Sequence, residues 1–294
     1  MEFEKEFGTE EQCIAYLFNL RWPDGYRCPR CESDKAWQVN RMKYKCQKCK
    51  YQTTVISGTI FQDTHKPLTL WFRAIWYITS QKNGASAMNV QKILGLGSYR
   101  TAWTWLHKLR RAMIRPGRDK LSGVVEVDEG FIGGPGEGGK RGRGTENKVL
   151  VAVAVEITDK KIGRSRMSVI ENASSESLHA FIENNVEIGS TIVTDGWRGY
   201  NGLSGKGYAQ KITKKSSEDN KELLPHVHTV VSLLKRWLLG TLQGACSKEY
   251  LDYYLDEYCF RFNRRKAKSR GMLFYRLLQN AVQLQPTSYK DIIS

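Results

Sequence analysis

The chemistry available to this sequence resides in four clustered cysteines, two aspartates set at strand-like segments, and one histidine. Cys28-Pro29-Arg30-Cys31 and Cys46-Gln47-Lys48-Cys49 form two C-x-x-C knuckles, with residues 32–45 between them. Two residues between thiolates let both sulfurs reach one ion while backbone amides point at them. Four thiolates complete a tetrahedral shell that soft Zn2+ accepts and Mg2+ does not. With all four positions filled by protein, the site reads as structural, the centre of a compact zinc ribbon. Unrelated reduced cysteines and a redox pair are the competing readings, and two matched knuckles disfavour both. Arg27, Arg30, Lys43, Lys45, Lys48 and Lys50 surround the cluster. They suit either phosphates or plain solvent.

Val124-Val125-Glu126-Val127-Asp128-Glu129-Gly130 runs a β-branched strand into acids, and Ile192-Val193-Thr194-Asp195-Gly196-Trp197 does the same 67 positions later. Two such strands side by side bring Asp128 and Asp195 close together. Like charges at that range repel unless a cation sits between them. Hard oxygen ligands favour Mg2+ or Mn2+, and two such ions flanking a phosphate can activate a water or a 3′-hydroxyl and stabilise the leaving oxygen. The alternative is that each Asp only caps a turn, since Asp-Gly is a turn signal. A third ligand is expected on a later helix that Pro225 suits as a first turn. There His228, Ser232 and Lys235 share one face at i, i+4 and i+7, while Val227, Val230, Val231, Leu234 and Leu238 form the buried face. His226 lies about 200° from His228 at ~100° per residue, so the two cannot serve one site. His228 is therefore read as a metal ligand and Lys235 as a cation that holds phosphate.

The elements that must position these groups follow from pattern and composition. The chain has 294 residues, 46 Lys and Arg against 30 Asp and Glu, a net charge of +16, and 40% hydrophobic residues. That composition suits a folded protein whose partner is a polyanion, of which nucleic acid is the commonest, with a basic but otherwise ordinary enzyme as the alternative. No apolar run approaches the ~18 residues that span a bilayer, and the acidic start is unlike a signal peptide, so a cytoplasmic location without membrane contact is expected. The odd total of seven cysteines, with Cys13, Cys246 and Cys259 standing apart, argues against a disulfide framework. Residues 1–20 read as a short helix with Ile14, Leu17 and Phe18 on its apolar face. Residues 66–115 carry helical patterns broken by Asn83-Gly84 and Gly95-Leu96-Gly97.

Within that stretch, Ser86 to Leu94 and Ser98 to Met113 form a helix, a glycine turn and a basic second helix, with Ser98 as N-cap. The arrangement is helix-turn-helix-like, with Trp103, Trp105, Leu106 and Leu109 read as core; a plain helical linker is the alternative. Pro116-Gly117 marks a boundary. Strands are expected over Leu121–Asp128, Val149–Val155, Arg166–Ile170, Thr191–Asp195 and Gln210–Thr213. One helix starts at Ser174-Ser175-Glu176-Ser177, and helical pattern resumes from Pro225 to about Asn263. This is a mixed α/β domain. Lys140-Arg141-Gly142-Arg143-Gly144 suits a DNA-contacting loop or a solvated one. Arg261, Arg264, Arg265 and Lys266 suit DNA or a helix dipole.

Taken together, these pieces resemble the zinc-ribbon insertion-sequence transposases of the ISXO group. The resemblance rests on the Cys28–Cys49 ribbon, on Val125-Glu126-Val127-Asp128-Glu129 with Ile132-Gly133-Gly134, on Thr194-Asp195-Gly196-Trp197, on Leu234-Lys235-Arg236, and on the run from Leu255 to Arg265. It implies an RNase H-like mixed sheet flanked by helices, DDE-type chemistry with two Mg2+ or Mn2+ ions, and recognition of the inverted repeats at an element's ends. It also implies transesterification without a covalent enzyme–DNA intermediate, and synapsis by a homodimer or larger assembly. Asp128 and Asp195 fall on the first two family acids. The third position, seven before Lys235, is His228, where many relatives carry Glu, so the resemblance implies a DDH variant. Imidazole is a softer, neutral ligand, and Mg2+ should bind it less tightly than a third carboxylate. The competing readings are a third ligand elsewhere, such as Glu222, and a catalytically inactive DNA-binding regulator derived from a transposase. A simple nuclease of the same fold fits less well, because the N-terminal DNA-binding modules would be superfluous. The expected division is residues 1–60 for the N-terminal helix and ribbon, 61–118 for the helix-turn-helix-like segment, 119–265 for the catalytic domain, and 266–294 for a helical tail.

Overall fold

The computed structural model describes residues 2–115, 117–133, 148–213, 223–242 and 247–293. The Lys140–Gly144 run and Glu222 lie outside the described residues. The chain divides into two units, residues 1–115 with 267–294, and residues 116–266.

In the first unit the N-terminal helix is two helices, α1 (Glu2–Phe7) and α2 (Glu10–Arg21). The break is local chemistry. A Cβ on Gly8 would sit 2.4 Å from the Glu4 carbonyl oxygen. Thr9 then opens α2 with a capping box: its hydroxyl accepts the Gln12 N–H, and the Gln12 side chain accepts the Thr9 N–H at 3.0 Å. Strands β1 (Ala36–Gln38), β2 (Lys43–Cys46) and β3 (Gln52–Thr54) form an antiparallel sheet in that order. Helix α3 (Leu68–Ser80) starts after Pro67, which offers no side-chain cap. The Glu10 carboxylate does so instead, accepting the Leu68 and Thr69 N–H groups at 2.9 and 3.1 Å. Helix α4 (Ala87–Leu94) ends at Gly95 in the left-handed conformation, and α5 (Tyr99–Ala112) follows.

Ser98 occupies the N-cap position of α5, but its hydroxyl makes no cap bond. Trp105, Leu106 and Leu109 are buried as expected, and Trp105 stacks on Trp71 with ring centroids 3.7 Å apart. The segment expected as a tail forms α9 (Arg270–Ala281) and the short α10 (Tyr289–Ile293). Helix α9 packs on α3 and α5, and the Asn280 side chain donates to the Ala112 carbonyl at 2.9 Å.

The second unit is a five-stranded mixed sheet flanked by helices. Its strands are β4 (Val124–Ile132), β5 (Val149–Thr158), β6 (Lys161–Val169), β7 (Thr191–Thr194) and β8 (Ala209–Ile212). They lie in the order β6-β5-β4-β7-β8, with β4, β5 and β6 antiparallel to one another in turn and β7 and β8 parallel to β4. Alternation along each strand separates two cores. On one face Val125, Val127 and Ile192 pack with Leu178, Phe181 and Ile182 of α6 (Ser175–Asn185). On the other, Ile132, Val151, Val153 and Val193 pack with α7 (Pro225–Leu242) and α8 (Leu251–Asn263). Ser174 caps α6 by accepting the Ser177 N–H.

One expectation is corrected. The strand expected to end at Asp128 continues to Ile132, because β5 pairs with all nine residues of β4. Only the pairing with β7 stops early, at Glu126.

The buried carboxylate of Glu156 ties the β5–β6 hairpin to the segment entering β4. It accepts the Ser122 N–H at 3.1 Å and pairs with Arg164 at 2.6 Å. Burial pushes its pKa up, but the Arg164 guanidinium and the Ser122 N–H pull harder, leaving it below the usual value. A depressed carboxylate contributes stability that is full above the ordinary glutamate range and is lost as pH falls through the folded-state value. Glu156→Gln is therefore expected to cost about 1–3 kcal/mol at pH 7, and less in acid. Urea melts of both proteins at neutral and acidic pH measure the difference.

Candidate active site and metal centre

The register of two strands brings the two aspartates together. β4 and β7 pair in parallel as Val124↔Thr191, Val125↔Ile192 and Glu126↔Val193. Carrying that register two residues on sets Asp128 level with Asp195, the same separation of 67 noted in the sequence. Alternation puts both on the α7 face, since Glu126 and Val193 precede them by two. Asp128 stands where β4 has lost β7 as a neighbour, and its side chain is 22% exposed. Asp195 is exposed and is followed by Gly196 at φ 90°. Its Oδ1 accepts the Trp197 N–H at 2.9 Å, and the Trp197 indole donates to the Ala173 carbonyl at 2.9 Å. The loop bearing Asp195 is thus fastened to the residues just before α6.

Helix α7 brings His228, the expected third ligand, beside Asp128. His228 Nε2 lies 3.2 Å from Asp128 Oδ2. That spacing suits two adjacent ligands of one ion held at about 2.1 Å. Lys235 is exposed two turns along the same helix, and Val227, Val230, Leu234 and Leu238 are buried, as their spacing predicts. Val231 is only partly buried. His226 serves a different acid. Glu126 accepts the His226 and Val227 N–H groups, each at 2.9 Å, and its other oxygen lies 2.7 Å from His226 Nδ1. Pro225 contributes no N–H, so this carboxylate meets the first free donors of the helix.

Burial raises two neighbouring acids of β4. Burial pushes the Asp128 carboxyl above the usual aspartate range, and the Asp195 charge adds to the push, while the Glu129 N–H and His228 oppose it. Glu129, on the opposite face of β4, is raised for the same first reason and accepts a hydrogen bond from the Tyr200 hydroxyl. Among the described residues, the four cysteines are the group of three or more ligands whose donor atoms converge within 4.8 Å. Asp128, Asp195 and His228 do not converge that tightly. Sequence reasoning misses Glu126, His226 and the Glu129–Tyr200 pair. Strand alternation is the signal that could have found Glu126, since an acid two before Asp128 on a buried face needs a partner. Of the basic residues at the end of α8, Arg261 pairs with Glu257 at 2.8 Å, and Arg265 donates to the Gly163 and Ile162 carbonyls of the β6 strand. Those two are engaged within the unit.

The cysteine cluster meets the demands of zinc. Cys28 and Cys49 sulfurs are 3.6 Å apart, as are those of Cys31 and Cys46. Tetrahedral ligands at about 2.3 Å from an ion stand about 3.8 Å from one another. The Cys49 N–H, foremost, pulls the Cys46 thiol down to about 6, whereas at Cys31 the pull of the Ser33 N–H is outweighed by burial and the neighbouring sulfurs, which push the thiol up. Zinc-ribbon chemistry and this cluster of four cysteines support a structural Zn2+.

Two outcomes are expected. Metal analysis should find one zinc per chain, lost in Cys46→Ser together with protease resistance over residues 28–49. At Gly199 a Cβ would stand 2.6 Å from the Ala173 carbonyl oxygen and 2.7 Å from the Trp197 indole nitrogen. Gly199→Ala should therefore displace the Asp195 loop and cost about 1–3 kcal/mol in a thermal or urea melt.

Residues 120–263 match the ISXO2-like transposase domain family, and residues 8–52 match the transposase zinc-ribbon domain family. The chain is also similar to an uncharacterized protein in transposable element ISH50 of Halobacterium salinarum, with 24% identity over an alignment 279 residues long that covers 87% of this chain and 92% of that one. Among solved structures, the catalytic core domain of BIV integrase is matched at 16% identity, covering 50% of this chain and 88% of that one, with a TM-score of 0.33. A chain of the simian T-cell lymphotropic virus intasome, in complex with the PP2A regulatory subunit B56 gamma, is matched at 12% identity, over 68% and 74% of the two chains, with a TM-score of 0.34. Taken together, the two matches show a chain that joins a transposase zinc ribbon to an ISXO2-like transposase domain.

Proposed function

We propose that this protein is a transposase, which cuts DNA at the inverted-repeat ends of an insertion sequence and joins the freed strands to a target by metal-dependent phosphoryl transfer. The observation that carries the reading is the parallel register that sets Asp128 level with Asp195, together with the approach of His228 to Asp128 at 3.2 Å. When bound, Mg2+ or Mn2+ supplies the Lewis acidity that activates a hydroxyl and stabilises the leaving oxygen. Asp128 and Asp195 hold the charge that attracts the ions. His228 completes the set as the DDH variant's third ligand. Lys235, on the same face of α7, steadies a phosphate of the strand being cut. The net charge of +16 supports double-stranded DNA as substrate and target.

The same proposal gives residues 61–118 the task of reading the element's ends. Helices α4 and α5 and their glycine turn support it, with Tyr99 52% exposed and Arg100 and Arg111 exposed on α5. Residues 1–60 would hold the ribbon, 119–265 the cutting domain, and 266–294 the helices that follow it. Bringing two ends together calls for a homodimer or larger assembly, at work in the cytoplasm. No described helix is long and apolar enough to cross a membrane. A second reading, a catalytically inactive DNA-binding regulator, draws on the looseness of the triad, which does not close to within 4.8 Å.

Nicking of supercoiled plasmid, and then of the element's own ends, separates these readings. Asp128→Ala and Asp195→Ala are expected to cut at least about a hundredfold more slowly than wild type. Mn2+ should support cutting at lower concentration than Mg2+, because it accepts imidazole more readily, and His228→Glu should narrow that gap. His228→Ala cutting at the wild-type rate would place the third ligand elsewhere. Tight binding of the ends without cutting in either metal would favour the regulator.

A further inference from the structure

Glu126 is a buried acid that metal-dependent cutting leaves unused. Its side chain is 6% exposed, and a buried carboxylate is costly unless its oxygens are met by donors. The first turn of α7 meets them: the N–H groups of His226 and Val227, each at 2.9 Å, and the His226 ring at 2.7 Å. Two residues along the same face of β4, Asp128 meets His228 at 3.2 Å. The strand thus presents two acids, and the helix answers with two imidazoles. Of the inner pair, Glu126 is buried at 6% exposure and His226 half-buried at 25%; the acid and the imidazole of the outer pair are each more exposed, at 22% and 40%.

We propose that Glu126 is a positioning residue that sets the register of α7 against β4 and so holds His228 in place to bind metal beside Asp128. The inference rests on the reading of Asp128, Asp195 and His228 as metal ligands. The apolar contacts of Val227, Val230 and Leu234 fix which side of α7 faces the sheet, but dispersion is non-directional and tolerates sliding along the strand. Bonds from one carboxylate to two successive amides and a ring are directional. A helix shifted by one residue would lose them together with the Asp128–His228 contact. His226 shares the clamp, which explains two histidines at positions that cannot share one ion.

The test compares full-length wild type, Glu126→Gln and His228→Ala, with Mn2+ as the probe. Three quantities are read: hydrogen exchange at the amides of His226 and Val227, Mn2+ binding, and the Mn2+ concentration that half-saturates nicking. Glu126→Gln is expected to speed exchange at the two amides and to raise the half-saturating Mn2+ concentration about tenfold, as other supports of metal ligands do. The effect should be larger on half-saturation than on the maximal rate, with zinc content unchanged. Exchange that quickens with no change in half-saturation would make Glu126 a structural cap only and overturn the inference, as would exchange that does not change. If circular dichroism shows Glu126→Gln unfolded, Glu126→Asp is read the same way, since it keeps the charge and shortens the reach. A wild type that neither binds Mn2+ nor cuts, like His228→Ala, would sink the metal reading itself. A wild type that does both, matched by the Glu126 variants, would remove the clamp alone.

Discussion

The parallel register between β4 and β7 is the constraint on which the catalytic unit depends. It is set by only three residue pairs, yet it aligns Asp128 with Asp195 across 67 residues of chain. A slip of one residue would turn one aspartate to the α6 face and leave its partner facing α7. Buried residues on both faces guard against that slip, with Ile192 in one core and Val193 in the other. The short length of β7 matters too. Because it stops before Asp195 while β4 continues on the support of β5, the two acids stand just past the end of the β4–β7 pairing.

A second device recurs in both units. Helices α3 and α7 each begin at a proline, which sets the first turn but offers neither an N–H nor a side-chain cap. In each case a glutamate from a distant element takes over the cap: Glu10 of α2 for α3, and Glu126 of β4 for α7. A local serine or threonine cap, as at Thr9, Ser86 and Ser174, only starts a helix. A remote carboxylate also fixes the helix to the element that supplies it, at favourable charge–dipole geometry.

What the sequence discloses follows from how local each signal is. The zinc knuckles are legible because four ligands fall within 22 residues and their spacing alone specifies tetrahedral thiolate chemistry. Asp128 and Asp195 are legible as acids following β-branched runs. The strand bearing Asp128 reads too short, because Glu129 and Gly130 look like a turn until β5 pairs with them. The face of α7 is legible from its 3.6-residue period, which separates His226 from His228. What each histidine meets is not readable, since Glu126 and Asp128 lie 100 positions away from their partners. The same holds for Glu129 and Tyr200, 71 positions apart. Helix α9 carries no signal of its destination at all.

That last helix has a consequence for how the protein is made. The ribosome delivers residues 1–115 first and 116–266 next, and the residues that finish the first unit, 267–294, emerge after both. The whole sheet, with Asp128, Asp195 and His228, is available to fold before α9 can reach its place on α3 and α5. During synthesis, therefore, the half of the chain bearing the acids precedes in completion the half bearing the ribbon and the helix-turn-helix-like segment. Phe72 and Trp76 of α3, whose rings meet Phe274 of α9, must wait for that later stretch of chain, and a nascent chain released before it would leave α3 short of a packing partner.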